Sequence, residues 1–192
     1  MNVTIFKSVF DKENPHVITL QTALSRIQDG KSCTTIEEVR KGDKDKKKGL
    51  PVVCFSGEFS SRADDALFEH SGFIVLDFDH VDVDQTKRSL ATDDFIHSCW
   101  TSPSGNGVKA LVKITNPERH RDHFRALVKY FEKQHGLEVD ESGVTNLVHA
   151  TSLMTQTSSS KMISKSLGRL RQSTQRHRRQ RMRLTITQTT SD

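Results

Sequence analysis

The chain has 192 residues, 29 Lys and Arg against 24 Asp and Glu, and a formal net charge of +5. Its hydrophobic content of 33% is low for one compact domain of that length, so part of the chain is expected to stay out of the core. From Thr151 onward nine Lys and Arg stand against one Asp, leaving residues 1–150 with 20 basic and 23 acidic side chains, so the basic balance belongs to the tail and does not argue for nucleic-acid binding by the whole chain. Cys33, Cys54 and Cys99 are odd in number, far apart and without a C-x-x-C, which fits reduced thiols in a cytoplasmic protein and not zinc ligands. No stretch approaches a membrane span and the first residues lack a signal-peptide pattern, so no membrane partner is expected.

In chain order, Asn2 to Phe10 alternates weakly and ends in an Asp-Lys-Glu-Asn-Pro turn, as a first strand would. Ile18, Leu20, Leu24 and Ile27 recur at helical spacing, and Gly30 closes that helix. A second helix is expected to start after Thr34 or Thr35, with Glu37 and Glu38 in its first turn, and to run to Gly42. Lys44, Lys46, Lys47 and Lys48 follow, interleaved with Asp43 and Asp45; this is either a solvated loop or a weak phosphate contact. Leu50 to Phe55 reads as a buried strand and Asp64 to His70 as a short helix.

Phe73-Ile74-Val75-Leu76-Asp77-Phe78-Asp79 reads as a strand buried on both faces with two carboxylates where it ends. Period 2 puts Asp77 and Asp79 on one side of the sheet, roughly 7 Å apart along the backbone. Two like charges held that close are costly without a cation between them, so the pattern suggests a divalent metal; the plainer reading is a strand running into an acidic turn.

Val83 to Leu90 reads as a helix, and Phe95 to Thr101 and Val108 to Ile114 as a hairpin joined by Ser102-Pro103-Ser104-Gly105-Asn106-Gly107. Asn-Gly is a hairpin-turn signal in itself. Against that, two glycines and two serines expose N–H groups and hydroxyls, and Lys109 adds a point charge, so the loop can instead cradle a triphosphate. Glu118 to His135 is the clearest helix, with Phe124, Leu127, Val128 and Phe131 as its apolar stripe, His120 and His123 on its polar side, and Gly136 at its end. Leu137 to Asp140 reads as one more short strand ending in a carboxylate, and a third Asp beside the Asp-x-Asp pair would complete a two-metal site for phosphoryl transfer.

Three blocks in order, Ile74 to Asp79, Ser102 to Lys109, and Glu138-Val139-Asp140-Glu141-Ser142-Gly143, resemble the N-terminal domain of VirE-type proteins, a family of mobile elements in Bacteroides-type bacteria placed among the primase-polymerases of the archaeo-eukaryotic primase superfamily. The resemblance implies an RRM-like α+β core, a mostly antiparallel sheet with packed helices. It also implies that Asp77, Asp79 and Asp140 are catalytic and bind two Mg²⁺ or Mn²⁺, and that Ser102, Ser104, Gly105, Gly107 and Lys109 hold the nucleotide. Lys109 stands where the family carries His, a departure that keeps charge but not proton transfer. The family's following Arg and its Ser-x-Asp-x-Asp motif are missing: His149 lies near the Arg position.

The tail offers a reason. Back-translated with permitted codons and read two bases further on, Ser152 to Ile163 can give Ser-His-Asp-Pro-Asp-Ile-Phe-Ile-Lys-Asp-Asp, the missing motif. Residues 1–150 are therefore expected to form the domain, incomplete at its C-terminal end, and 151–192 a basic, out-of-frame, disordered tail; the alternative is a genuine basic arm that binds nucleic acid. The expected activity of an intact domain is template-directed nucleotidyl transfer from dNTP or NTP on a DNA template, with a helicase as partner, and the truncated chain is expected to be impaired. A non-catalytic nucleic-acid-binding module and a metal-dependent nuclease or phosphohydrolase are the other readings. A haloacid-dehalogenase-type phosphatase fits poorly, since His80 follows Asp79 and the βα rhythm is missing.

Overall fold

The computed structural model describes residues 1–141, 150–152 and 163–164. The frame question after Ala150 and the basic arm fall almost wholly outside them. The fold is α+β, and every strand pairing among the described residues is antiparallel.

The first half builds one sheet and two helices. β1 (Asn2–Phe6) pairs with β2 (His16–Thr19) and with β3 (Val52–Cys54), which also pairs with β9 (Ala150–Ser152). β2 is a strand that the helical reading of Ile18 and Leu20 absorbed. The helix α1 (Leu20–Gln28) begins only after Thr19, whose Oγ1 accepts the Thr22 N–H at 3.1 Å as an N-cap. The second helix, α2 (Cys33–Arg40), starts earlier than expected, so Glu37 and Glu38 lie past its first turn.

Asp64 to His70 is not a helix. A single 3₁₀ turn at Asp64–Ala66 leads into β5 (Leu67–His70), which pairs with β4 (Gly57–Phe59). A Cβ on Gly57 would stand 2.0 Å from the Glu69 carbonyl oxygen, so the missing side chain lets the two strands approach. This hairpin covers Phe6, Val52, Cys54 and Phe59, a small core on the outer face of the first sheet. Burial there pushes the Cys54 thiol up to about 12, whereas Cys33 is exposed and Cys99 buried. One thiol, Cys33, is expected to react promptly with a disulfide reagent in the native protein and all three after denaturation; prompt native reaction at Cys54 would show that the hairpin opens.

The second half carries the site. β6 (Phe73–Asp79) is followed by α3 (Val83–Ala91), β7 (Ile96–Thr101), β8 (Gly107–Lys113), a 3₁₀ turn and α4 (His120–His135). β8 lies between β6 and β7, and β10 (Ile163–Ser164) pairs with the far side of β7. This β-α-β-β-α order, with the third strand central, is that of a split βαβ unit. Ile74, Leu76 and Phe78 face one way, into a core with Phe124, Leu127 and Phe131 of α4. Phe73 and Val75 face the other way, into a core with Val3, Val53, Phe55, Leu24 and Ile36, so the two halves share one interior.

Two corrections concern α4. His120 continues the stripe of Phe124, Leu127 and Phe131 and is 6% exposed, and His123 is half-buried, so neither lies on a solvated face. His70 Nδ1 accepts the Gly72 N–H at 2.9 Å, which leaves the proton on Nε2 to be donated to His120 Nδ1, also at 2.9 Å. Burial lowers the pKa of His70, His97 and His123. Because their folded values lie below the unfolded one, the stability they contribute is present above about pH 6.5 and is lost as pH falls through the folded values. The melting temperature should therefore decline on acidification below that point, and His70→Asn should flatten the decline; an unchanged profile in that variant would remove His70 from the account.

At the other end of α4, Asp93 accepts from Tyr130 Oη and from His135 Nε2, each at 2.8 Å, and His135 Nδ1 lies 2.8 Å from Ser89 Oγ. These bonds tie α3 and the turn after it to the last turn of α4. Gly136, in the left-handed conformation at φ 62°, then ends the helix.

Candidate metal and phosphate site

Asp77 and Asp79 sit at the end of β6 and, as period 2 requires, on one face. It is the face that Phe73 and Val75 turn toward the first half of the chain. The strand stops there because His80 adopts a left-handed φ of 56°, unusual for a residue with a side chain, and Val81 N–H then bonds to the Asn106 carbonyl at 3.2 Å.

Leu137 to Asp140 is not a strand, but it runs to the open edge of β6, where Asp140 N–H donates to the Asp77 carbonyl at 2.9 Å. That bond brings the third carboxylate in. One oxygen from each of Asp77, Asp79 and Asp140 lies within 4.8 Å of the others. Their burial differs: the Asp77 side chain is 12% exposed, whereas Asp79 and Asp140 are open to solvent.

Lys109 faces Asp77 directly across the β6–β8 ladder, and its Nζ donates to Asp77 Oδ2. The point charge expected to meet a phosphate is thus committed to a carboxylate. Asp77 Oδ1 is buried and has no hydrogen-bond partner among the described residues. A buried carboxylate oxygen without a donor is costly, and a hard cation is what such an oxygen, with two more carboxylates beside it, accommodates.

The Ser102 to Gly107 loop overhangs this corner. A Cβ on Gly107 would lie 2.9 Å from Asp79 Oδ1 and 2.8 Å from the Phe78 carbonyl oxygen, so glycine is what lets β8 begin against Asp79. Ser102 Oγ and Ser104 Oγ are 3.0 Å apart. Two of the loop's N–H groups are used internally, Ser102 to the Gly107 carbonyl at 2.7 Å and Gly105 to the Ser102 carbonyl at 2.9 Å. The left-handed residue is Gly105, at φ 85°, and Gly107 is already paired in β8, so the connection is the five-residue loop 102–106 and not a two-residue Asn-Gly turn.

Lys44, Lys46, Lys47 and Lys48 lie on an exposed 3₁₀ turn, Lys44–Gly49, behind α2. Lys48 pairs with Asp45 at 2.8 Å and Lys46 with Glu38 at 3.5 Å. The basic residue that does reach the loop is one that the sequence reading passed over, Arg40 at the end of α2. Its Nε would stand 3.3 Å from a Cβ on Gly105. A basic residue in the last turn of a helix ordinarily complements the helix dipole, and nothing local in the sequence distinguishes it.

Among the described residues, no helix is long and apolar enough to cross a membrane. No curated protein and no solved structure matches the chain. A family model does, and it overturns the resemblance to VirE-type proteins that the three blocks suggested: residues 45–154 match the model described as BT4734-like, N-terminal domain. The matched stretch holds Asp77, Asp79, Asp140 and the Ser102 to Lys109 block, while Arg40 precedes it. It makes up more than half of the sequence, and the chain belongs to the BT4734-like N-terminal domain family.

Proposed function

We propose that this domain carries out divalent-metal-dependent nucleotidyl transfer on a nucleic-acid template, with Asp77, Asp79 and Asp140 holding the cation. The observation that supports this most is the convergence of three carboxylate oxygens within 4.8 Å, one residue of the three carrying a buried oxygen without a donor. Three carboxylates less the Lys109 ammonium leave two negative charges, the complement of one divalent ion. In this reading one Mg²⁺ or Mn²⁺ is the protein's own, and a second arrives with the substrate's phosphates. A bound divalent cation supplies neutralisation of charge on a transferring phosphoryl group.

The chain's residues divide the remaining work. Lys109 holds Asp77 by its Oδ2, which leaves Oδ1 to the cation. Ser102 and Ser104 offer hydroxyls in the loop that leads to Gly107, and Gly107 keeps the approach to Asp79 clear of a side chain. A DNA template, dNTP or NTP substrates and a helicase partner belong to this proposal.

The test is Mn²⁺-dependent dNTP incorporation on a primed template by the full chain, alongside Asp79→Asn. Incorporation by the wild type that the variant lacks supports nucleotidyl transfer. Metal-dependent loss of the oligonucleotide would replace it with nuclease chemistry, and DNA binding indifferent to chelator would replace it with a binding module.

A further inference from the structure

Arg40 is half-buried, makes no hydrogen bond or ion pair among the described residues, and has its Nε closed off from solvent without a partner. Burial lowers its pKa, with Glu37 opposing, but a guanidinium remains cationic at neutral pH. An Arg that is merely structural normally finds a carboxylate or a carbonyl, because burying an unpaired charge is unfavourable. The neighbouring lysines at positions 46 and 48 do find acids.

Its surroundings give the unpaired charge a direction. The stem lies across Gly105, 3.6 Å from a Cβ there at both Cδ and Cγ, so a side chain at Gly105 would crowd it. The same loop leads into Gly107, where an added Cβ would meet Asp79 Oδ1 and Ser102 Oγ. Arg40 and the three carboxylates therefore flank one loop. A triphosphate brought to three carboxylates meets repulsion that one divalent ion offsets only in part. Lys109 is engaged by Asp77, whereas Arg40 has no hydrogen-bond or ion-pair partner among the described residues, and a guanidinium matches phosphate oxygens two at a time.

The geometry points to Arg40 as the residue that takes the triphosphate tail of the incoming nucleotide, with the Ser102 to Gly107 loop between it and the metal-binding carboxylates. This rests on the reading of Asp77, Asp79 and Asp140 as a cation site, and it adds a contact from outside the matched family stretch.

Inorganic tripolyphosphate is the probe, titrated into the full chain by calorimetry with and without Mn²⁺, after Mn²⁺ binding alone has been measured. Arg40→Gln should leave Mn²⁺ affinity unchanged and weaken tripolyphosphate binding by about tenfold or more, and Arg40→Lys should fall between, as loss of a bidentate contact predicts. Melting temperatures identify a variant that has simply unfolded, and Arg40→Lys then carries the comparison. Tripolyphosphate binding equal to wild type in Arg40→Gln overturns the inference while the cation site stands. So does a wild type that binds Mn²⁺ but no tripolyphosphate, or a variant weakened only toward a single-stranded oligonucleotide, which would move Arg40 to the template backbone. Arg40-dependent binding of tripolyphosphate in a chain that takes up no Mn²⁺ would sustain the anion site and remove the cation reading.

Discussion

Lys109→Met is expected to cost about 3 to 5 kcal/mol in the absence of divalent ions, because it leaves a largely buried carboxylate with no counter-charge. Among the described residues Asp77 has no other side-chain donor: its second oxygen is already without a partner, and the neighbouring Asp79 and Asp140 carboxylates repel it. In a domain of this size that corresponds to a melting temperature lower by roughly 10 °C. Saturating Mn²⁺ is expected to return much of the loss, since the ion replaces the ammonium, and to raise the variant's melting temperature more than the wild type's. Thermal melts in chelator and in Mn²⁺ measure both effects. If the variant melts at the wild-type temperature in chelator, the Asp77–Lys109 pair is solvated and contributes little; if Mn²⁺ stabilises both proteins equally, the three carboxylates do not act as a unit.

Phe131→Ala is expected to cost a similar 3 to 5 kcal/mol, by cavity formation. The ring is fully buried, stands edge-on to Phe78 at 5.6 Å and stacks on His135 at 5.5 Å. It also lies upstream of the site: the Phe131 carbonyl accepts from Leu137 N–H at 3.3 Å, where the chain leaves α4 toward Asp140. Mn²⁺ affinity should fall together with stability. Phe59→Ala, in the separate core under the β4–β5 hairpin, is the control, expected to destabilise without touching Mn²⁺ affinity. Equal Mn²⁺ affinity in the two variants would separate the packing of α4 from the placement of Asp140.

Where local pattern and tertiary packing agreed, the sequence was informative. Phe73 to Leu76 is buried on both faces, the strand's end at Asp79 follows from an apolar run that stops abruptly in carboxylates, and the stripe of α4 marks a helix on a core. The stripe also contained more than was drawn from it: His120 sits four residues before Phe124, on the buried side, and only its polar side chain argued for solvent. Leu67 to His70 has helix-forming residues but becomes a strand, because pairing with Gly57 to Phe59 outweighs weak local preference. Of the site, the spacing of Asp77 and Asp79 was legible as a pair, whereas the sequence alone did not bring Asp140 to them; its main-chain bond to the edge of β6 does. Arg40 was not legible, since its role depends on a contact with a loop some 65 residues later in the chain, and no spacing rule reports such a contact.

The hold on Asp140 has a kinetic consequence. β6 is pinned to β8 along seven residue pairs, while the described segment carrying Asp140 is fastened to β6 by a main-chain bond at one point. Val139 packs into the α4 core, but a segment outside the strand ladder opens more readily than a strand paired along its length. Amide exchange at Asp140 should accordingly be far faster than at Val75 or Leu76, and slow when a cation bridges the three acids. Closing this segment would then be a step of ligand binding, with a preformed pair of carboxylates waiting for a third that arrives on a hinged strip of chain.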